Sequence, residues 1–315
     1  MAYKSNDNAF TAKNDRSSSE PTYAGALSFM RRRYTKNVAG ADVVIMGVPF
    51  DAAVSNRPGS RFGPQAIRRA SAIFDNDAQY PFHADLFEHL NVVDFGDLLW
   101  DYGYPQQIYG LIEKQAAKLI KGGQTLITLG GDHSITYGLL KAHAAKHGPL
   151  ALVHFDAHQD TWPDDGKRID HGSFVLRASR EGLIDTDHSI QIGIRTHAPE
   201  PCGIKILYGY DVEEMSSGQI IEAITKRVGN ANTYITFDID CLDPAFAPGT
   251  GTPVAGGPSS SKMLSVLRGL KNINMVGADI VEVLPAYDHA DITAIAGATV
   301  AQHYIGLLAE RRAAK

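Results

Sequence analysis

Leu150-Ala151-Leu152-Val153-His154-Phe155-Asp156-Ala157-His158-Gln159-Asp160 is the stretch whose reading decides the fold. Its first six residues form an apolar run that predicts a buried strand. In extended chain every second side chain points to the same side. Asp156, His158 and Asp160 follow at alternate positions, so they converge if the strand ends here and the chain curls over its tip. Two carboxylates this close are costly to desolvate unless a cation compensates them. A cation-binding strand end is the expectation.

Two further runs repeat the pattern. Thr233-Tyr234-Ile235-Thr236-Phe237 ends in Asp238-Ile239-Asp240, and Thr125-Leu126-Ile127-Thr128-Leu129 ends in Gly130-Gly131-Asp132-His133-Ser134. Three predicted strands thus deliver acids or histidine at their C-terminal ends, the edge where ligands collect in a parallel α/β sheet. Helical stretches alternate with the strands. Ile108 to Lys121 precedes the strand at Thr125, and Ser259 to Leu270 precedes one near Asn274 to Gly277. The alternation predicts an α/β, three-layer αβα architecture with a mainly parallel central sheet. No Ser/Gly-rich linker divides the 315 residues, so residues 22–315 are expected to form a single catalytic domain. Residues 1–21 are polar and predict a flexible N-terminal arm, or one that reaches a neighbouring subunit.

The strand ends offer His133, His158, Asp156, Asp160, Asp238 and Asp240, with no cysteine among them. One four-coordinate ion does not need six ligands. Two ions are therefore expected, held about 3.5–4 Å apart by bridging carboxylates. Carboxylate-rich ligation with some imidazole suits Mn²⁺, although Zn²⁺, Co²⁺, Fe²⁺ and Ni²⁺ remain compatible. Such a pair can ionise a bridging water near neutral pH and polarise the group under attack, which points to metal-assisted hydrolysis. Other histidines and acids read more plainly. His154 lies inside its strand and predicts a satisfied core residue; His143 and His147, in a helical stretch, predict solvated side chains. Asp288, His289 and Asp291 read as a solvated loop, and Cys241 as a packing residue that faces away from Asp240.

Taken together, the motifs resemble the three signatures of the ureohydrolases, the arginase/agmatinase family, most closely its bacterial agmatinases. They are Gly130-Gly131-Asp132-His133-Ser134, Asp156-Ala157-His158-Gln159-Asp160 and Phe237-Asp238-Ile239-Asp240-Cys241-Leu242-Asp243-Pro244. The likeness also takes in Gly47 to Asp51, Ala247 to Pro253 with Gly256-Gly257, and Val281-Glu282-Val283, spanning about Ala41 to Leu308. It implies an arginase-like fold and a binuclear Mn²⁺ amidinohydrolase. It further implies that His133, Asp156, Asp160 and Asp238 hold one Mn²⁺, and Asp156, His158, Asp238 and Asp240 the other. By the same resemblance His171 is a proton shuttle and Glu282 grips the substrate guanidinium. A carboxylate suits that grip through two parallel hydrogen bonds. Asp160 would also orient the attacking hydroxide, and a histidine near neutral pKa suits protonation of the leaving amine.

The substrate's tail is the open question. The loop Thr161 to Asp170 lacks the Ser-Gly-Asn pattern with which arginases read an amino-acid head, so arginase is disfavoured. Asp170 beside His171 favours a cationic tail, or else is simply a loop cap. Arg57 could line the mouth and keeps guanidino acids open. The expected reaction is agmatine plus water to putrescine plus urea; the alternative is a guanidino-acid amidinohydrolase of guanidinobutyrase or guanidinopropionase type. A deacetylase-like amide hydrolase normally needs adjacent histidines, which are absent, and a non-catalytic homologue would be expected to have lost ligands.

A net charge of -5 argues against nucleic acid as main partner. With only Cys202 and Cys241 there is no disulfide framework, which fits a cytoplasmic protein. No apolar run is expected to approach the length needed to span a bilayer. The family likeness implies a homo-oligomer, trimer or hexamer. Gly249-Thr250-Gly251-Thr252-Pro253 lacks the spacing of a dinucleotide loop and predicts a tight turn beside the metal edge.

Overall fold

The predicted strand at 150–155 is present as Ala151–Phe155, buried at every position, as a strand covered on both faces should be. The computed structural model describes residues 21–74, 79–82, 85–200 and 202–313, so the expected arm at 1–21 lies outside them apart from Pro21. The described residues include eight strands: β1 (Val43–Gly47), β2 (Val92–Asp97), β3 (Thr125–Leu129), β4 (Ala151–Phe155), β5 (Ile190–Ile194), β6 (Lys205–Tyr208), β7 (Asn232–Asp238) and β8 (Asn274–Val281). They form one sheet in the order β2-β1-β3-β8-β7-β4-β5-β6. Every adjacent pair is parallel, so the sheet is wholly rather than mainly parallel.

The helices are α1 (Gly63–Ser71), α2 (Leu86–His89), α3 (Ile108–Ile120), α4 (Ile135–His147), α5 (Phe174–Arg180), α6 (Gly209–Glu214), α7 (Ser217–Val228), α8 (Ser260–Gly269) and α9 (Ile292–Ala313). Alternate side chains of each strand feed different cores. Val153, Phe155, Ile235 and Phe237 pack with α1, α7, α8 and α9. Leu152, Leu126 and Tyr234 pack on the opposite face with α3, α4 and α5. The result is the three-layer αβα arrangement, with strands β3, β4, β7 and β8 side by side at its centre and their C-terminal ends on one edge.

Four expectations need correcting. α9 is 22 residues long and apolar enough, by length and composition, to cross a membrane, contrary to the expectation that no run approaches that length. Most of it is buried, because it packs against α1, α2 and α8 as a core helix. Asp288 is not a solvated loop acid: its carboxylate accepts from the Thr293 and Ala294 amides at 3.0 and 3.1 Å and so caps α9. Cys241 is buried as expected, but it sits in a 3-10 turn, Ile239–Cys241, and not in a strand whose alternation would orient it.

The fourth correction is His143, expected in solvent but fully buried on α4. Its Nδ1 donates to the Leu139 carbonyl at 2.8 Å, and its ring meets Tyr234 edge-on at 5.0 Å. Burial outweighs that hydrogen bond and pushes its pKa down to about 4. An unfolded histidine titrates near 6.5, so the unfolded chain binds the extra proton first as pH falls. His143 therefore contributes stability above pH 6.5 that is lost on acidification through about 4. In urea unfolding of metal-free protein, wild type is expected to lose up to about 3 kcal/mol more than His143→Asn between those pH values. Parallel losses in the two proteins would contradict this assignment.

Candidate metal centre

The turn after β3 brings the first histidine to the sheet edge. A side chain at Gly131 would place its Cβ 1.8 Å from the Phe50 carbonyl oxygen, so only glycine allows this approach. The Asp132 amide then bonds that carbonyl at 2.8 Å, and the Asp132 carboxylate accepts from the Ala53 and Ser134 amides. So fixed, His133 points its Nδ1 across the edge to Asp156 Oδ2 at 3.0 Å, and to Asp160 Oδ2 and Asp238 Oδ2 at 3.1 Å each. A second group lies beside it. His158 Nδ1 is 3.2 Å from Asp156 Oδ1 and 3.1 Å from Asp240 Oδ2. All six expected side chains thus converge from three strand ends, with Asp156 common to both groups.

Two residues at the site have left-handed backbone, Asp160 at φ 52° and Glu282 at φ 60°. That conformation costs a non-glycine residue about 1–3 kcal/mol and has to be held by its surroundings. The Asp160 carbonyl accepts from the Val175 amide at the start of α5, and the Glu282 amide bonds the Gly131 carbonyl at 2.9 Å.

Charge within the cluster is badly unbalanced. Burial, with Asp240 and Asp156 alongside, holds the Asp238 carboxyl well above its usual range, and burial with Asp156 raises Asp160. Asp156 goes the other way: burial opposes its ionisation, but three histidines around it outweigh burial and hold it low. His158 is disfavoured as a cation by burial, yet Asp240 and Asp156 lift it to about 12. The pocket demands positive charge. His133 Nδ1 is buried and has no aligned hydrogen-bond partner among the described residues, although three carboxylate oxygens lie within 3.1 Å. A nitrogen close to three acids and aligned with none is the arrangement a cation between them would use, so these donors fit a metal. His133, His154, Asp156 and Asp160 form one group with metal-like spacing, and Asp156, His158 and Asp240 a second.

His171 and Glu282 form a separate pair. His171 Nδ1 bonds Glu282 Oε1 at 2.9 Å, and that oxygen also accepts from the His133 amide at 3.0 Å. Burial works against a charged His171, but Glu282 outweighs it and lifts the pKa to about 9. The Ser55 amide, 3.1 Å from Nε2, pulls the other way, because it can only donate and needs a lone pair there. Glu282 Oε2 is buried with no partner among the described residues, and Gly251 leaves it room: a Cβ there would lie 3.1 Å away. The turn at 249–253 does approach the metal edge.

A cavity of about 550 Å³ opens onto the cluster. Its floor includes His133, His158, Asp160 and Asp238, and its walls are Ser55, Trp162, Pro163, Arg168, Asp170, His171, Gly172 and Thr252. Asp156, Asp240 and Glu282 lie behind that surface. Arg57 is not in the wall; its guanidinium stacks on Tyr287 at 4.9 Å. Asp170 is the one carboxylate in the wall outside the six-residue cluster, among the described residues. It accepts from the Gly172 amide at 2.8 Å and pairs with Arg168. Sequence reasoning missed Ser55, Thr236, Thr252 and Gln191. Thr252 Oγ1 donates to Asp240 Oδ2 at 3.1 Å, and its neighbourhood was flagged only by the glycines beside it.

Residues 41–306 match the sequence model of the Arginase family. The chain belongs to the arginase family. An agmatinase of Chromobacterium violaceum is 47% identical over 300 residues, 95% of this chain and 93% of that protein. Among solved structures, a hypothetical agmatinase from Burkholderia thailandensis superposes with a TM-score of 0.95 at 49% identity, covering 98% of each chain. The proclavaminate amidino hydrolase of Streptomyces clavuligerus reaches 0.86 at 37% identity, covering 93% of this chain and all of that one. Arginase-family membership accounts for the sheet order and for the gathering of all three signatures on one edge.

Proposed function

We propose that this ureohydrolase hydrolyses agmatine to putrescine and urea at a two-manganese centre. The observation that carries the substrate is 47% identity to an agmatinase over 95% of the chain. His133, Asp156, Asp160 and Asp238 would hold one ion, and Asp156, His158, Asp238 and Asp240 the other. Bound there, the ions supply a Lewis acid and a water ionised near neutral pH.

The chain's own residues do the rest. Trp162 and Pro163 give the cavity an apolar wall suited to a methylene chain. Asp170, already paired with Arg168, is the wall acid that an ammonium tail would meet. Glu282 Oε1 holds the His171 ring in place, and its unpartnered Oε2 is the acceptor proposed for a guanidinium N–H that reaches behind the cavity wall. His171 lines the cavity beside Ser55 and, when protonated, is the ring that gives a proton to the departing amine. Positioning of this kind removes much of the entropic barrier to attack on a poor electrophile.

Arg168 in the same wall favours a second reading, a guanidino-acid tail. Urea release from agmatine, guanidinobutyrate, guanidinopropionate and arginine, measured side by side with added Mn²⁺, separates the two. Agmatine is expected to be turned over at least tenfold faster than the others. Negligible agmatine turnover beside fast turnover of an acid would reverse the choice.

A further inference from the structure

Five polar side chains lie in register across the middle of the sheet, on the face covered by α3, α4 and α5. Thr128 on β3 pairs with Asp279 on β8, Asp279 with Thr236 on β7, Thr236 with His154 on β4, and His154 with Gln191 on β5. All five are buried. Burying such a row is costly unless its members bond one another, and four of the five do. Only Thr128 Oγ1 lacks a partner among the described residues.

The direction of each bond follows from counting protons. Asp279 accepts three hydroxyls: Thr236 Oγ1 at 2.5 Å, and Thr136 Oγ1 and Tyr234 OH at 2.9 Å. Thr236 has one hydroxyl proton, and the carboxylate takes it. Towards His133 Nε2, 2.8 Å away, the same oxygen can then only accept. The proton of His133 therefore sits on Nε2, and Nδ1, the atom that faces the three carboxylates, keeps its lone pair. A matching chain runs from the other side. Gln191 Nε2 donates to the Gln159 carbonyl at 2.7 Å, which fixes the amide's orientation, and to His154 Nδ1 at 2.9 Å. His154 Nε2 then carries the proton and donates it to Asp156 Oδ2 at 2.7 Å.

We propose that Thr236 and Asp279 are positioning residues for metal binding, holding His133 in the one tautomer whose free nitrogen faces the cluster, while Gln191 and His154 orient Asp156 from the opposite flank. The proposal rests on the two-ion reading above. Partners of this kind typically change metal affinity by about 10–100-fold when removed.

Manganese titration of the stripped full-length protein against a chelating indicator tests it without an activity assay. Thr236→Val is expected to weaken binding of one of the two ions by about 10–100-fold. Thr236→Ser, which keeps the hydroxyl, should bind both as wild type does. Thr128→Val, an equally buried threonine one register step beyond Asp279, should also leave affinity unchanged. Circular dichroism of the stripped proteins verifies folding, and Thr236→Ala makes the same cut should valine be rejected. Wild-type affinity in a folded Thr236→Val or Thr236→Ala protein would overturn the proposal, as would an equal loss in Thr128→Val. Failure of wild type itself to bind two ions would instead sink the two-ion reading.

Discussion

An Asp238→Asn protein is expected to lose manganese affinity by roughly two to three orders of magnitude, and urea release with it. Asp238 is one of the two acids, with Asp156, proposed to touch both ions, and removing one partner of a buried charge pair costs about 3–5 kcal/mol. The amide keeps the shape, and its oxygen can still accept from the Asp240 amide, as Asp238 Oδ1 does at 2.8 Å. What it removes is charge. In the metal-free protein that removal is a relief, because burial and the neighbouring Asp240 and Asp156 already disfavour an ionised Asp238. The stripped variant should therefore melt no lower than stripped wild type, while added Mn²⁺ raises its melting temperature far less. Scanning calorimetry with and without metal reads both effects. An Asp238→Asn protein that keeps two tightly bound ions would remove Asp238 from the centre.

His171→Ala separates chemistry from metal binding. His171 is bonded to Glu282 and Ser55 and to none of the six clustered residues. Metal content should be preserved at two ions per chain, while kcat falls by about 10²–10⁴-fold, the range for a lost general acid. The loss should fall on kcat more than on KM, since Trp162, Pro163 and Asp170 still line the cavity. Emptying of the metal site by this substitution would refute the proton-donor role and make His171 a structural support.

Much of this site is legible in the sequence because its organisation is local. A period of two along each strand and a shared edge for parallel strands suffice to place Asp156, Asp160, Asp238 and His133 together. What the sequence hides depends on register between distant strands. Thr236 reads as one more β-branched strand residue until β7 is laid beside β8, which puts Asp279 next to it. His154 reads as a core histidine, and it is one, but its bond to Asp156 needs Gln191 from β5 to fix its orientation. His143 misleads because α4 is buried all round from Ile135 to Leu140 and reaches solvent only towards its C-terminal end, so the helix offers no continuous polar stripe against which to place a histidine. Glu282 illustrates the same limit. Its position beside a strand end was visible, but its place behind His171 follows from a left-handed turn that no local pattern announces.

The parts proposed to grip the ions and the part proposed to face the tail are tied down separately. Arg195 donates to the carbonyls of Gly193, Asp240, Cys241, Leu242 and Val254, clamping the segments that carry Asp240 and Thr252. Residues 161–172 instead form a loop whose ends are tied together by the bond from the Trp162 amide to the Gly172 carbonyl, and Arg177 grips Asp164 within it. Grafting a different segment between Trp162 and His171 should retune which guanidino compound is accepted while leaving the proposed metal cluster and proton donor in place, so one scaffold can diversify its diet by exchanging the eight residues 163–170.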